Sequence, residues 1–250
     1  MKPANKPVLG ELRVFENAAE LARAGAELFR EHASAARMDF VVGLAGGSTP
    51  KPLYETLARP DFGDAMPWST LRFVLGDERF VPPDDKDSNL RMIREALLDR
   101  VDIRSEQVFA PPYDGMTPDG AARAYERDLK ALYGLPELVP DKPFFDLCFL
   151  GMGDDGHTAS LLPGQGELLN ERHRWVLPVT KGRPEARITL TYPVLESSRL
   201  TVFLVSGEGK REMLDGILSG RETDAPAARL SPQGRLLWFA DRAAAGRWAG

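Results

Sequence analysis

Cysteine and histidine are scarce in this chain, and their scarcity excludes several kinds of site. The 250 residues include one cysteine, Cys148, and three histidines. A single cysteine excludes intramolecular disulfide bonds and any cysteine-rich metal site. Because Cys148 lies inside an apolar run, we expect a small buried side chain. The histidines are widely separated, at His32, His157 and His173, so we expect no histidine-rich metal site either.

Long apolar stretches and an excess of positive charge are also lacking. No uninterrupted apolar run approaches the roughly 18 residues needed to cross a bilayer. The opening segment MKPANKPVLGELRVFE contains no apolar core of a signal peptide. We therefore expect a cytoplasmic protein with no membrane partner. The formal net charge of −5 argues against a nucleic-acid partner but leaves room for a local basic pocket.

Several catalytic signatures are missing as well. The chain has no G-x-S-x-G elbow, which disfavours a serine hydrolase of that class. It also lacks H-E-x-x-H, the zinc pattern of metalloproteases. No internal repeat and no clear linker divide the sequence, so we expect a single α/β catalytic domain over residues 1–250.

Alternating strand and helix patterns predict the fold class. Four apolar runs, each ending at glycine, are typical of strands buried on both faces of a parallel sheet. They are Phe40–Leu44, Leu71–Leu75, Phe145–Leu150 and Thr201–Val205. Helical patterns cover Asn17–Ala36, Ser88–Arg100, Pro118–Leu132 and Glu208–Leu218. This alternation predicts a doubly wound, mostly parallel sheet with helices on both faces.

Further strand patterns predict mixed edges for that sheet. They cover Val176–Thr180, Ile188–Tyr192 and Arg235–Phe239, without long helices between all of them. Ligands of doubly wound sheets bind beyond the carboxyl ends of the strands. The four glycine-ended loops should therefore converge on one crevice, and we treat their polar residues as one candidate site.

The loop after the third apolar run presents a carboxylate and an imidazole together. Gly151 and Gly153 shape a turn, and Asp155, Gly156 and His157 follow directly. A neutral histidine accepts a proton from water near pH 7, which few other unperturbed side chains do. The pattern predicts a general base at the rim of the sheet. The structural alternative is a glycine turn in which Asp155 caps a helix.

The same stretch also satisfies the dinucleotide-binding pattern G-x-G-x-x-G. Two observations disfavour that interpretation. The carboxylates of Asp154 and Asp155 would repel a pyrophosphate. In addition, Pro163 and Gly164 follow so closely that a helix begun at His157 has fewer than two turns. We expect the glycines to shape a catalytic loop instead.

The loop after the first apolar run has the composition of a phosphate cradle. Gly46 and Gly47 allow close backbone approach, and Ser48 and Thr49 supply hydroxyl donors. An ordinary capped turn is the alternative. Lys210, after the fourth run, is a candidate phosphate cation, although the spacing is not that of a P-loop. A solvated helix lysine remains the alternative for Lys210.

Arginines and carboxylates follow the second apolar run. Asp77 and Glu78 precede Arg79, which could bind a phosphate bidentately, stabilise an oxyanion or form a local ion pair. Arg187 begins the alternating segment RITLTY and could point into the crevice or mark a plain strand edge. Lys181 and Arg183, in the Gly/Pro loop before it, are candidate lid residues.

Four blocks occur in order: GLAGGSTP, LGDERFVPPDDKDSN, DLCFLGMGDDGHTASLLPG and RITLTYPVL. Together they resemble the glucosamine-6-phosphate isomerase/6-phosphogluconolactonase family, over roughly residues 41–218. The combination is highly specific, whereas one block alone would not be. The resemblance implies a Rossmann-like fold, similar to that of ribose-5-phosphate isomerase. It also implies hydrolysis of 6-phospho-D-glucono-1,5-lactone to 6-phospho-D-gluconate in the oxidative pentose phosphate pathway.

The resemblance also implies roles by position. His157 would be the general base that activates water, and Asp155 would orient its ring. The substrate-binding residues would be Gly46, Gly47, Ser48, Thr49, Arg79, Arg187 and Lys210, supported by Asp77, Glu78, Gly151, Gly153 and Gly156. No metal, cofactor or covalent intermediate is implied. We expect a small sugar phosphate as the partner, and a monomer or weak homodimer.

Two other functions are compatible with parts of this pattern. A glucosamine-6-phosphate deaminase resembles the chain in its glycine loops, but that relative carries a glutamate shortly after the histidine. Here residues 158–162 contain no carboxylate. A sugar-phosphate sensor without catalysis would be expected to lose the base, yet Asp155 and His157 are both present. Glu196 stands where the family often has asparagine, a departure from the family pattern in the segment that follows Arg187.

Overall fold

In a computed structural model, residues 10–250 are described. The first nine residues, to which part of the signal-peptide prediction applies, lie outside the described residues. The strands are β1 (Glu11–Phe15), β2 (Phe40–Leu44), β3 (Leu71–Leu75), β4 (Asp77–Arg79), β5 (Val108–Phe109), β6 (Leu147–Gly151), β7 (Val176–Val179), β8 (Arg187–Leu190), β9 (Leu200–Val205) and β10 (Arg235–Asp241).

Helices surround these strands and leave the carboxyl ends of several of them open. They are α1 (Ala18–Ala35), α2 (Lys51–Leu57), α3 (Pro60–Gly63), α4 (Asn89–Ala96), α5 (Pro118–Tyr133), α6 (Gly166–Leu169), α7 (Tyr192–Glu196), α8 (Arg211–Leu218), α9 (Pro226–Arg229) and α10 (Arg242–Ala245). Short 3₁₀ turns include Glu208–Lys210, directly before α8. Within residues 10–250, no helix is long and apolar enough to span a membrane.

Seven strands form one sheet in the order β1-β10-β9-β6-β2-β3-β5. Every neighbouring pair in this sheet is parallel. The order reverses direction between β2 and β6, which opens a crevice beyond the carboxyl ends of the strands. The predicted doubly wound α/β fold is confirmed.

The prediction of mixed edge strands is wrong in its placement. β10 lies between β1 and β9, so the segment Arg235–Phe239 belongs to the parallel sheet. The antiparallel strands β4, β8 and β7 form a separate three-stranded sheet. A short loop joins β7 to β8, which suits an antiparallel pair and cannot hold a crossover helix.

Two apolar layers cover opposite faces of the parallel sheet. Helices α1, α2 and α4 pack on one face, where Phe29 and Val42 are fully buried. Helices α5, α7 and α8 pack on the other face, which Val41 also contacts. Neighbouring residues of β2 thus serve different layers, as the period of a strand requires. Helices on both faces explain why these strands are apolar almost throughout.

Local signals set the helix boundaries. The side chain of Asn17 accepts hydrogen bonds from the amides of Ala19 and Glu20 and thereby caps α1. Gly134 ends α5 in the left-handed region, with φ at 79°. The segment predicted as a strand through Tyr192 ends at Leu190 instead, and α7 begins at Tyr192. A proline at the second position of α7 favours this early helix start.

Candidate active site

A cleft of about 250 Å³ lies beyond the carboxyl ends of β2, β3, β6 and β9. The loops after all four strands contribute to its walls, as the sequence predicts. Predicted site residues that line it are Gly46, Gly47, Ser48, Thr49, Asp77, Arg79, Gly151, Gly153, His157, Arg187 and Lys210. Glu78, Asp155 and Gly156 do not line the cleft, but each hydrogen-bonds to a residue that does.

His157 and Asp155 form a hydrogen-bonded pair at the cleft. Nδ1 of His157 lies 2.5 Å from Oδ1 of Asp155, and the His157 amide donates to the same oxygen at 3.1 Å. A carboxylate accepts hydrogen bonds, so this network assigns the ring proton to Nδ1. Nε2 is then left with a free lone pair. The imidazole is therefore prepared to accept a proton.

The second oxygen of Asp155 binds an arginine. Nη2 of Arg183 donates to Oδ2 at 2.8 Å and lies 3.2 Å from Nδ1 of His157. Burial alone would raise the pKa of Asp155. Hydrogen bonds from His157 and Arg183 outweigh burial and lower the pKa of this carboxyl to about 2. Asp155 therefore stays ionised across the physiological range.

Glycines allow the loop to bring the pair together. A Cβ on Gly153 would lie 2.0 Å from Nδ1 of His157, so only glycine fits there. Gly156 adopts a φ of +77°, and its amide donates to the carbonyl of Gly153 at 3.0 Å. Gly151, in contrast, has open space where a side chain would stand. The structure therefore shows no steric requirement for glycine at position 151, which was predicted from the sequence pattern alone.

The predicted phosphate cradle packs against the first residue of α4, Asn89. A Cβ on Gly46 would lie 1.9 Å from the side-chain oxygen of Asn89, and Gly47 has a φ of +98°. Asn89 is buried and donates to the carbonyl of Asp77 at 3.0 Å. Ser48 lines the cleft beside Gly47, and both are exposed. The loop therefore presents its backbone and hydroxyl groups to the cleft.

Lys210 reaches the cleft from the turn before α8. Its Nζ forms a short ion pair with Oδ1 of Asp154, the residue next to Asp155. The Lys210 side chain is 23% exposed, whereas that of Asp154 is 74% exposed. The cation is thus partly enclosed, and its carboxylate partner stands in solvent.

Arg79 and Arg187 lie opposite each other across the β4–β8 pair. Arg79 donates from Nη1 to the carbonyl of Asp87 at 2.5 Å, and Nη1 of Arg187 lies 4.0 Å from Asp77. The Nε groups of both arginines are buried without a hydrogen-bond partner in residues 10–250. Burial lowers the pKa of Arg187. Both side chains line the cleft, so this wall carries two guanidinium groups.

Asp77 and Glu78 have different structural tasks. Asp77 accepts a hydrogen bond from the Ser160 hydroxyl at 2.5 Å, which ties β4 to the loop after His157. The Glu78 carboxylate accepts from the amides of Asn89 and Leu90, both at 2.7 Å, at the start of α4. Burial raises the pKa of Glu78, and these hydrogen bonds oppose the rise. Glu78 is therefore a support for α4 that does not reach the cleft.

Sequence reasoning missed several residues that shape the site. Asn89 falls in a predicted helix but also lines the cleft, and Ser160, which donates to Asp77, belongs to no motif that identifies it. Ala159 lines the cleft with a φ of +47°, which is strained for a residue other than glycine. Such backbone strain clusters at functional sites. Arg183 was predicted as a lid residue, yet it contacts the candidate base directly. Among residues 10–250, no three His, Cys, Asp or Glu side chains are grouped to hold a metal ion.

The parallel sheet and the carboxylate–imidazole pair at its cleft are the features of an α/β enzyme, and Arg79, Arg187 and Lys210 add three cations to the cleft wall. The chain belongs to the glucosamine-6-phosphate isomerase/6-phosphogluconolactonase family, whose model matches residues 16–238. The predicted family is thereby confirmed, as is the prediction of a hydrolytic enzyme.

Relatives from distant organisms carry the 6-phosphogluconolactonase name. A Nostoc protein is 41% identical over 208 residues, covering 82% of this chain and 83% of the relative. The human protein is 38% identical over 249 residues, covering 96% of this chain and 94% of the human protein. The solved Trypanosoma brucei 6-phosphogluconolactonase has a TM-score of 0.80 at 32% identity, covering 97% of this chain and 98% of that one.

Proposed function

We propose that this chain hydrolyses 6-phospho-D-glucono-1,5-lactone to 6-phospho-D-gluconate, a step of the oxidative pentose phosphate pathway. The names of relatives at 38–41% identity support the substrate. The observation that carries the chemistry is the 2.5 Å contact between His157 Nδ1 and Asp155 at the cleft. A base of this kind suits a reaction whose one requirement is an activated water.

The first step is attack of water on the lactone carbonyl. Nε2 of His157 takes one proton from the water as its oxygen bonds to C1. Asp155 keeps the proton on Nδ1 and stabilises the imidazolium that forms, as in other carboxylate–histidine pairs. The product of this step is a tetrahedral oxyanion at C1.

Collapse of the oxyanion completes the reaction. The C1–O5 bond breaks, and the imidazolium returns its proton to O5, which becomes a hydroxyl group. The new carboxylic acid ionises in water. His157 ends neutral, so no covalent intermediate with the protein is required.

The cleft supplies donors for both anionic parts of this reaction. Lys210, Arg79 and the loop 46–49 bind the phosphate, which holds the lactone against the base. Arg187 lines the same cleft, and we assign its guanidinium group to the oxyanion. Removing one donor to an oxyanion typically costs about 3 kcal/mol of transition-state stabilisation.

The deciding experiment is acid release from freshly made 6-phosphogluconolactone, measured above the spontaneous rate. We expect wild-type protein to accelerate hydrolysis and His157→Ala to lower kcat by about 10² to 10⁴-fold. His173→Ala is the matched control, because His173 lies on an exposed loop outside the cleft. A His157→Ala variant within a few-fold of wild type would exclude the base role. No acceleration by wild-type protein would exclude the reaction.

A further inference from the structure

The loop between β7 and β8, residues 180–186, brings the guanidinium group of Arg183 into contact with the His157–Asp155 pair. Its Arg183 binds Oδ2 of Asp155 at 2.8 Å, while His157 uses Oδ1 of the same carboxylate. One carboxylate thus joins an arginine and an imidazole. The Arg183 side chain is 31% exposed, so the contact is partly shielded from solvent.

This loop is held in place by contacts of its own. The side chain of Gln165 donates to the carbonyl of Lys181 at 2.8 Å. Gly182 has a φ of +83°, and a Cβ there would lie 2.8 Å from the Gln165 side chain. The loop therefore packs on the segment that follows His157, and this packing aims Arg183 at Asp155.

The contact has two physical consequences. Binding at Oδ2 fixes the plane of the Asp155 carboxylate, so Oδ1 stays on Nδ1 of His157. A positive charge 3.2 Å from Nδ1 also opposes a second proton on the ring. Asp155 alone would favour that second proton. The arginine offsets this effect while leaving the orienting hydrogen bond intact.

Other charged groups face the same space and set the background against which Arg183 acts. They are Asp154 and Asp155 on the His157 loop, Asp77 and Arg79 on β4, Arg187 on β8, and Lys210 before α8. Asp154 is paired with Lys210, and Asp77 with Ser160 and Arg187. Arg183 is the cation that contacts the His157–Asp155 pair itself.

We propose that Arg183 is a positioning residue that clamps Asp155 and keeps the His157 ring in its neutral, proton-accepting form. This inference rests on the proposed function for its catalytic meaning. Its physical content is a shift in the proton affinity of one histidine, which is measurable without substrate.

The test is an NMR titration of the histidine ring signals. Three histidines are present, so the signal lost in His157→Ala identifies His157. In Arg183→Gln, we expect the His157 titration midpoint to rise by roughly 0.5 to 1 pH unit, the effect of a unit charge about 4 Å away at an exposed site. Arg183→Lys retains the charge and should return the midpoint towards wild type.

Arg199→Gln is the matched control. It makes the same substitution in another exposed arginine–aspartate pair, Arg199 with Asp146, outside the cleft. Its His157 midpoint should equal that of wild type. An unchanged midpoint in Arg183→Gln, or an equal change in Arg199→Gln, would overturn the inference.

Kinetics then link the titration to catalysis. In the pH profile of kcat/KM for the lactone, the acidic limb should move to higher pH in Arg183→Gln, together with the His157 titration midpoint. In Arg183→Lys it should return towards its wild-type position. A midpoint that moves while the limb stays would refute the positioning role. Failure of wild-type protein to hydrolyse the lactone would refute the proposed function instead, and the titration distinguishes the two.

Discussion

Replacing Gly153 with alanine should disable the candidate base through a single methyl group. The added Cβ would lie 2.0 Å from Nδ1 of His157 and 2.6 Å from Oδ1 of Asp155. Real Cβ atoms essentially never approach other heavy atoms closer than 3.0 Å, so the imidazole must recede by about 1 Å. Both partners of the 2.5 Å hydrogen bond are pushed by the same atom.

A displacement of this size is large for catalysis and moderate for folding. Misplacing a catalytic group by about 1 Å can cost on the order of 10² in rate. Overpacking a tight site costs typically 1–3 kcal/mol of unfolding free energy. In a chain of this length, that is a fall in Tm of roughly 2–12 °C. We therefore expect a folded protein with kcat for 6-phosphogluconolactone reduced about 100-fold.

Gly166→Ala provides the control for a glycine-to-alanine change. Gly166 begins α6, and the nearest heavy atom to its added Cβ is 4.0 Å away. Its kcat and Tm should match or exceed those of wild type, because alanine favours a helix. A Gly153→Ala protein with wild-type kcat would show that the loop tolerates the methyl group, which would refute the packing argument.

Two further predictions concern charge. Lys210→Ala should raise KM for the phosphorylated lactone at least about tenfold, the value of a hydrogen bond to a charged group, and should change the use of unphosphorylated gluconolactone much less. Equal losses on both substrates would contradict the phosphate role of Lys210. Asp155→Asn should lower kcat by about 10² or more, since the amide no longer holds the required ring tautomer. The pKa of Asp155 is lowered in the fold to about 2, so its ionised contacts stabilise the fold above about pH 4 and are lost towards pH 2. The Tm difference between wild type and Asp155→Asn should therefore shrink over that interval; a constant difference would argue against these contacts.

The parallel core could be predicted because its strands carry a strong local signal. A run such as Phe40–Leu44 is apolar on both faces and ends at glycines, which is the pattern of a strand buried between two helical layers. The loops that follow such strands necessarily meet at one edge of the sheet. Gly46, His157 and Lys210 were thus placed in one cleft from chain order alone, and the structure confirms that they line it.

The antiparallel sheet could not be predicted in the same way. β4 consists of Asp77, Glu78 and Arg79, three polar residues with no apolar periodicity. It forms a strand because it pairs with β8, in which Thr189 lies opposite Asp77 although 112 residues separate the two in the chain. Such a pairing depends on tertiary context, which overrides local propensity. Edge strand β1 was missed for a similar reason, since Glu11–Phe15 is half-exposed and short.

The contact between Arg183 and Asp155 could not be predicted from the sequence either. Its partner Asp155 lies 28 residues earlier in the chain, and no spacing rule connects a loop arginine to that carboxylate. Gly182 and Pro184, which flank Arg183, are the local signals, because glycine and proline are frequent in turns. A turn, however, says nothing about which side chain it presents to a distant loop.

Asp154 and Asp155 show how position sets the function of neighbouring identical residues. Asp155 receives hydrogen bonds from the His157 amide, the His157 ring and Arg183, so displacing it would break three contacts together. Asp154 is 74% exposed and holds Lys210 alone. An exposed ion pair of this kind contributes about 1 kcal/mol or less. Under the proposed function, a phosphate dianion that reaches Lys210 replaces Asp154 at little cost, while His157 and Asp155 stay fixed. In that proposal, the loop combines a rigid pair for proton transfer with an exchangeable partner for Lys210.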